Sequence, residues 1–274
     1  MTAYHRPDTL DAALRIAADG GCVVAAGCTD LFPARSAQAL AGPVLDLTGI
    51  AALKGITRDA AGWRIGAGAS WAEIARADLP AAFAGLQAAA REVGSVQIQT
   101  SGTIGGNLCN ASPAADGLPP LLTLGASVEV AGTAGLRVLA LQDFVLGPRR
   151  VALAPGEILT AVLIPEVQGQ GRFLKLGARK YLVISIVMGA ARIVLEDGRI
   201  AQAALAMGAA SPVARRLTAL ETAVTGLRPA EAAGFDPALV TGALSPLSDP
   251  RADETYRNEA AVTLMRRLIG EAGQ

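Results

Sequence analysis

The residues best suited to chemistry lie in a segment of small side chains near the middle of the chain, SGTIGGNLCNASPAAD, which begins at Ser101. At its centre, Gly105 and Gly106 can take positive φ and leave room for a ligand, so successive N–H groups can point into one anion-binding concavity. Asp116, beyond a Ser-Pro turn, is placed to accept hydrogen bonds from a sugar hydroxyl. The segment also carries side-chain donors at its rim, Thr103 and Asn107. It predicts a site for a phosphate-bearing ligand such as a dinucleotide.

A second segment of the same kind lies near the N-terminus. The apolar run CVVAA, residues 22–26, ends in Gly27, Cys28, Thr29, Asp30 and Leu31. A strand that runs into Gly and then Thr and Asp is typical of a tight turn with exposed amides. Either turn alone is most often just a turn, so only the pair indicates a binding site. A shared site requires that the two turns face each other and that their amides are free.

Other common chemistries are excluded by residue type and count. GAGASW, residues 66–71, resembles a dinucleotide fingerprint, but Trp71 stands where close helix–strand packing needs a third glycine, and the chain has no P-loop lysine pattern. His5 is the single histidine, which excludes histidine-based triads and multi-histidine metal sites. We therefore predict no catalytic acid, base or nucleophile and no metal ligands. That is the residue set expected of a site that orients an electron carrier.

Composition limits the class of protein. With 274 residues, 51% of them hydrophobic, the chain is long enough for two domains. Its 24 basic and 24 acidic residues give no net charge and form no block of one sign, so neither nucleic acid nor an anionic membrane surface is an expected partner. No apolar stretch reaches the ~20 residues of a membrane span. Three widely spaced cysteines fit reduced thiols, and we expect a cytoplasmic protein.

Periodicity and turn signals predict the elements in two groups. For the first, capping and apolar spacing indicate helices at residues 10–18, after Ser70 with Glu73 as a capping box, and at residues 81–93. Strands are expected at residues 22–26, 44–47, 63–68, 127–131, 136–139 and 157–164. For the second, an Asp197-Gly198 turn predicts a hairpin of residues 191–195 and 200–207, with helices over residues 213–224 and 254–269. The best boundary lies in residues 165–171.

Taken together, these motifs resemble the flavin-binding medium subunit of the molybdenum hydroxylases, the family of carbon monoxide dehydrogenase and bacterial xanthine dehydrogenase. The first loop, AAGCTDL, resembles that family's AGGTDL, and TIGGN with its NASPAAD continuation resembles its second flavin loop. The resemblance covers nearly the whole chain. Its other parts are residues 4–14, 147–150, 153–157, 173–180 (FLKLGARK), 249–251 and 256–257.

This resemblance implies an α+β protein. A two-subdomain α/β FAD-binding domain of the vanillyl-alcohol-oxidase-like (PCMH) type would occupy residues 1–168, with subdomains of about 1–55 and 56–168. A smaller α+β C-terminal domain with an antiparallel sheet and helices would occupy residues 169–274. By position, the implied FAD-binding residues are Ala26, Gly27, Cys28, Thr29, Asp30, Leu31, Thr103, Ile104, Gly105, Gly106, Asn107, Asp116 at the ribose, and Lys175 near the flavin ring or phosphate.

The resemblance also implies a place in a complex. Substrate would be hydroxylated on a large molybdopterin-binding subunit, and electrons would cross a small 2Fe–2S subunit to FAD on this chain and then pass to an external acceptor, with NAD among the candidates. The chain alone would not act on substrate. Two alternatives stay open: a free-standing FAD-dependent reductase or oxidase of the same superfamily, and a scaffold that has lost flavin. Cys28 is the departure behind the second, because it replaces a glycine of the family pattern and would be strained at positive φ.

Overall fold

The computed structural model describes residues 3–33, 40 and 42–273. The first lobe is a three-stranded parallel sheet, in the order β1-β3-β2, with one helix packed on it. The Thr9 hydroxyl accepts a hydrogen bond from the N–H of Ala12 and caps this helix, as predicted. The elements are β1 (Tyr4–His5), α1 (Leu10–Ala18), β2 (Val23–Ala25) and β3 (Val44–Asp46), followed by 3₁₀ turns at Leu47–Gly49 and Ala51–Leu53.

The second lobe is built on a five-stranded antiparallel sheet in the order β4-β5-β10-β6-β7. Ser70 and Glu73 form the predicted capping box at the start of the first helix of this lobe. Its core contains Trp71, Phe83, Ile104 and Phe144, each nearly or fully inaccessible to solvent. The elements are β4 (Ile56–Asp59), β5 (Gly62–Gly66), α2 (Trp71–Arg76), α3 (Ala84–Glu92), α4 (Val96–Ser101), α5 (Ile104–Asn110), α6 (Leu118–Thr123), β6 (Ser127–Gly132), β7 (Gly135–Ala140), α7 (Leu141–Phe144), β8 (Val145–Gly147), β9 (Arg150–Val151) and β10 (Ile158–Ile164).

The C-terminal part has its own antiparallel sheet, in the order β11-β12-β13-β14, and its own apolar core. Asp197 and Gly198 both have positive φ, 50° and 73°, and join the two long strands as the predicted hairpin turn. The elements are β11 (Gln170–Leu176), β12 (Val187–Glu196), β13 (Arg199–Gly208), β14 (Arg215–Arg216), α8 (Thr218–Val224), α9 (Pro229–Ala232), α10 (Ala238–Thr241) and α11 (Glu254–Gly270). The expected α+β architecture with an antiparallel C-terminal sheet is confirmed.

Two sequence-based expectations are wrong in detail. The second glycine-rich segment is helical, since α5 begins at Ile104, and the short helix α4 precedes it. The helix expected from Val213 begins only at Thr218, because Arg215 and Arg216 pair with β13 instead. The predicted boundary at residues 168 and 169 lies between β10 and β11 and stays a prediction.

Side chains from the C-terminal sheet reach the second lobe. Arg192 donates from Nε to the Thr123 carbonyl at 2.9 Å, and Arg216 donates from Nη1 to the Leu122 carbonyl at 3.0 Å. Both carbonyls lie at the end of α6, so these contacts fix that helix against the C-terminal sheet. No helix in the described part of the chain is long and apolar enough to cross a membrane.

Candidate cofactor site

The two glycine-rich loops lie against each other. We call residues 26–31 the first loop and residues 103–107 the second loop. A Cβ placed on Gly27 would lie 2.0 Å from the Ser101 carbonyl oxygen and 2.8 Å from the Gly102 Cα. Only glycine allows the first loop to approach the chain that leads into the second loop so closely. The juxtaposition required by the sequence analysis is therefore observed.

A polar chain also links the two loops. The Asn110 side chain donates from Nδ2 to the Asp30 carboxylate at 3.0 Å. Arg149 donates from Nη1 to the Asn110 side-chain oxygen, and also to its backbone carbonyl at 3.3 Å. Sequence reasoning did not assign a role to Asn110, although it lies in the quoted NASPAAD continuation. Asp30 is thus held by the end of α5, which orients the first loop.

The first loop keeps its amide donors available. Among the described residues, the backbone N–H groups of residues 27–30 donate to no acceptor. Cys28 adopts φ of 58°, the left-handed region that the family glycine would occupy without a steric cost. A left-handed residue within a turn can rotate neighbouring amides toward one side, which is the geometry of an anion-binding nest. Cysteine therefore adopts here a conformation that favours glycine.

The second loop uses its amides differently from what the sequence led us to expect. Thr103 caps α5, and its hydroxyl accepts a hydrogen bond from the Gly106 N–H at 3.0 Å. The N–H groups of Ile104, Gly105 and Asn107 donate to the carbonyls of Ala69, Ala67 and Thr103, respectively. The expectation that these amides form an anion cradle is therefore wrong, because the helix cap and the turn before α2 already engage them. The Ile104 side chain is fully buried in the core, so it is not available to a ligand.

What the second loop does offer is space and one orphaned polar atom. Gly106 is exposed, and within 4 Å a Cβ added there would meet only the Thr103 hydroxyl oxygen, at 2.9 Å. Beside it, the Asn107 side-chain oxygen is buried and has no hydrogen-bond partner among the described residues. A buried polar group without a partner costs free energy. This oxygen faces Gly117, since a Cβ added there would lie 3.1 Å from it.

Asp116 and Lys175, which were assigned separately from the sequence, contact each other. The Lys175 ammonium donates to Asp116 Oδ2 at 2.6 Å, and the Ser185 hydroxyl donates to Asp116 Oδ1 at 2.6 Å. Burial raises the pKa of the Asp116 carboxyl, while Lys175 and Ser185 oppose that rise. No sequence signal indicated Ser185, since it lies 69 residues from Asp116. Lys175 is on the edge strand β11, but α3 packs on that strand, so the lysine is buried.

Comparison with known protein families shows to which family the chain belongs. Residues 1–167 match the family described as FAD binding domain in molybdopterin dehydrogenase. Residues 172–272 match the family described as CO dehydrogenase flavoprotein C-terminal domain. The chain belongs to the FAD-binding subunits of the molybdenum hydroxylases. As a member of that family, it is an oxidoreductase subunit that transfers electrons through FAD within a hetero-oligomeric complex.

Similar proteins extend along the whole chain. The xanthine dehydrogenase FAD-binding subunit of Escherichia coli O157:H7 is 30% identical over 288 residues, which cover 99% of this chain and 96% of that one. The nicotine 6-hydroxylase medium subunit of Paenarthrobacter nicotinovorans is 31% identical, with 98% and 96% covered. Among solved structures, reconstituted CO dehydrogenase from Oligotropha carboxidovorans superposes with a TM-score of 0.92 at 27% identity, covering 99% and 97% of the two chains.

The residues present fit FAD. In the described part of the chain, the amides of the first loop donate to no acceptor, which suits a pyrophosphate. Gly106 of the second loop leaves an open surface for the rest of the ligand. The family-level expectation of FAD therefore agrees with the donors and space that the chain itself provides.

Proposed function

We propose that FAD lies between the two loops, with its pyrophosphate held by the backbone N–H groups of residues 27–30. The observation that carries this proposal is the approach of Gly27 to Ser101, which sets a loop with free amides against the exposed Gly106. Ala26 and Leu31 flank those amides, and Thr103, Gly106 and Asn107 form the opposite wall. Ile104 and Gly105 place that wall through their backbone hydrogen bonds to Ala69 and Ala67.

Lys175 is proposed to lie beside the flavin. Bound FAD supplies redox chemistry that amino-acid side chains lack, and the protein contributes binding, orientation and electrostatics. An ammonium group close to the ring favours negative charge on the reduced flavin by Coulomb attraction, and the attraction is stronger in a buried site than in water. Lys175 has this character, since its side chain is only 5% exposed.

We also propose the electron route and the partners. The relatives include the medium subunits of nicotine 6-hydroxylase and carbon monoxide dehydrogenase, which supports a complex with a large molybdopterin-binding subunit and a small 2Fe–2S subunit. Electrons would reach this chain from the iron–sulfur clusters and leave to an external acceptor, for which NAD is the first candidate to test. Three free thiols support a cytoplasmic location.

The test is retention of FAD by the purified protein. A methyl group at Gly106 would extend into the cleft and lie 2.9 Å from the Thr103 hydroxyl that caps α5, so this hydroxyl has to shift slightly. The higher helix propensity of alanine offsets part of that cost. We expect Gly106→Ala to weaken FAD retention on gel filtration at least tenfold relative to wild type, and thermal melts of the flavin-free protein verify that the variant folds.

Gly147→Ala is the matched control, because a Cβ at that position meets nothing within 4 Å. It should retain FAD as wild type does. If the wild type itself retains no flavin, the scaffold alternative replaces this proposal. If Gly106→Ala and Gly147→Ala retain FAD equally well, the proposed cleft is wrong.

A further inference from the structure

Both carboxylate oxygens of Asp116 accept hydrogen bonds from the C-terminal part of the chain. Oδ2 accepts from Lys175 on β11, and Oδ1 accepts from Ser185 just before β12, each at 2.6 Å. The Asp116 side chain is 9% exposed. A ribose hydroxyl would therefore have to compete with a charged donor and a hydroxyl donor for a carboxylate that hardly reaches solvent.

Lys175 is held equally firmly. Its ammonium donates to Asp116 and, at 3.2 Å, to the carbonyl of Glu92 at the end of α3. An ammonium group has three N–H donors, so these contacts fix two of them. Among the described residues the third has no acceptor. Asp116 and the end of α3 thereby determine where the remaining N–H of Lys175 points.

The opposite charges of Lys175 and Asp116 also favour a fixed position for the ammonium group. A buried ammonium without a counter-charge is strongly disfavoured, and a buried pair is tolerated when hydrogen bonds complete it. Ser185 completes the pair by occupying the second oxygen of Asp116. The group presented to any ligand beside Lys175 is thus an ammonium whose charge is partly cancelled and whose position is fixed.

We propose that Asp116 is a positioning residue that acts on the flavin through Lys175, and that it does not bind the ribose. Its carboxylate places the Lys175 ammonium and reduces its net charge, which sets how strongly this chain stabilises the reduced flavin. The inference rests on the proposed function, because it requires Lys175 to lie beside FAD. It assigns Ser185 a supporting part that no sequence pattern indicated.

The experiment is a double-mutant cycle on the FAD-loaded protein with the flavin midpoint potential as the readout. The variants are Asp116→Asn, Lys175→Met and the combination of both. Asp116→Asn is isosteric and removes the negative charge, so we expect the ratio of reduced to oxidised flavin at a fixed potential to rise at least tenfold. For a two-electron couple, tenfold corresponds to about 30 mV. In the Lys175→Met background, Asp116→Asn should have no effect on that ratio.

Two further variants separate charge from shape. Asp116→Glu keeps the charge and should stay closer to the wild-type potential than Asp116→Asn does. Ser185→Ala removes a hydrogen bond without changing charge and should give a smaller shift than Asp116→Asn. Thermal melts of the flavin-free variants verify that each one folds.

Each possible result of these measurements either supports or contradicts the proposal. A rise in the ratio of reduced to oxidised flavin that disappears in the Lys175→Met background supports action through the lysine, and a fall in that ratio contradicts the proposed role of the charge. A shift of the same size in both backgrounds overturns the proposal, and so does the absence of any shift in Asp116→Asn. If Asp116→Asn loses FAD and leaves the potential of the remaining flavin unchanged, Asp116 binds the ribose after all. Failure of wild type to retain FAD would instead contradict the proposed function.

Discussion

Cys28 holds a backbone conformation that costs an ordinary L-residue about 1 kcal/mol and costs glycine nothing in steric terms. Its φ of 58° lies in the loop whose amides are proposed to hold the pyrophosphate. Glycine loses more chain entropy on folding, which offsets part of the gain. We expect Cys28→Gly to raise the free energy of unfolding by about 0.5 kcal/mol and to bind FAD at least as tightly as wild type.

The contrasting variant is Cys28→Val. A β-branched side chain at positive φ is a strong steric outlier, so it should lower the free energy of unfolding by more than about 1 kcal/mol. Urea denaturation of the flavin-free protein measures both changes. Equal midpoints for the glycine, valine and wild-type proteins would show that this position is relaxed in solution and that Cys28 is no obstacle to the loop.

Single residues also show how far the sequence could predict the site. The sequence predicted open space at Gly105 and Gly106, and a Cβ at Gly106 meets only the Thr103 hydroxyl within 4 Å. At Gly27 it predicted a tight turn, and the close approach to Ser101 became visible only in the structure. The contact of Asp116 with Lys175 and Ser185 could not be predicted, since 59 and 69 residues separate the partners. The residues next to a buried carboxylate in the sequence do not show which distant donor will bind it.

At the scale of elements, α5 was missed because its first turn contains two adjacent glycines, and glycine is about 1 kcal/mol less favourable than alanine in a helix. Tertiary contacts outweigh that propensity. Thr103 supplies the cap, and a Cβ on Gly105 would lie 2.7 Å from the Ala67 Cβ, so the glycine allows the helix to pack on the turn before α2. By contrast, α1, the Ser70 capping box and the Asp197 hairpin were predictable, because each is specified by neighbouring residues.

Arg137 on the edge strand β7 links this strand to the loop after β9 through an ion pair. Arg137 donates from Nε to Glu157 at 2.7 Å and also binds the Ala152 carbonyl at 2.6 Å. The hydrogen bond from Arg137 holds the pKa of the Glu157 carboxyl below its usual value. A carboxyl with a lowered pKa in the folded state stabilises the protein above its unfolded pKa of about 4.3, and that contribution is lost as the pH falls through the folded value.

Arg137→Met should therefore unfold at a lower urea concentration than wild type near neutral pH, and the gap should close as the pH falls below about 4. Arg137→Met made in a Glu157→Gln protein is the control, since its cost should then be independent of pH across that range. A gap that persists unchanged in acid would show that packing of the arginine stem, and not the charge pair, stabilises β7.

At the scale of the whole molecule, the chain is one component of an electron-transfer complex. We expect the isolated protein, loaded with FAD, to transfer electrons at most to artificial dyes and to hydroxylate no substrate. Co-expression with the proposed large molybdopterin-binding subunit and small 2Fe–2S subunit should restore substrate-dependent reduction of its flavin. Metal analysis of the co-purified complex should then find molybdenum and iron, and the chain purified alone should contain neither. Substrate turnover by the isolated chain would favour the free-standing enzyme.

Polar side chains make several of the contacts between the C-terminal part and the second lobe, beside a backbone hydrogen bond from Ala209 to Pro113. Arg192 and Arg216 bind carbonyls at the end of α6, and Lys175 and Ser185 bind the segment after α5. The sequence indicated that there would be two parts, from the proline and glycines of residues 165–171, but not how they meet. The positions of arginine and lysine in a sequence do not show which carbonyl or carboxylate each side chain will contact.

The contact between Gly27 and Ser101 limits how far the first loop and the chain before the second loop can vary in position. Where two stretches of main chain touch without a side chain between them, van der Waals contact of the backbone atoms sets their separation, and a single added methyl group would force them apart. Residues around this contact can therefore vary and change how strongly a coenzyme is bound, while the spacing of the two main-chain segments stays constant.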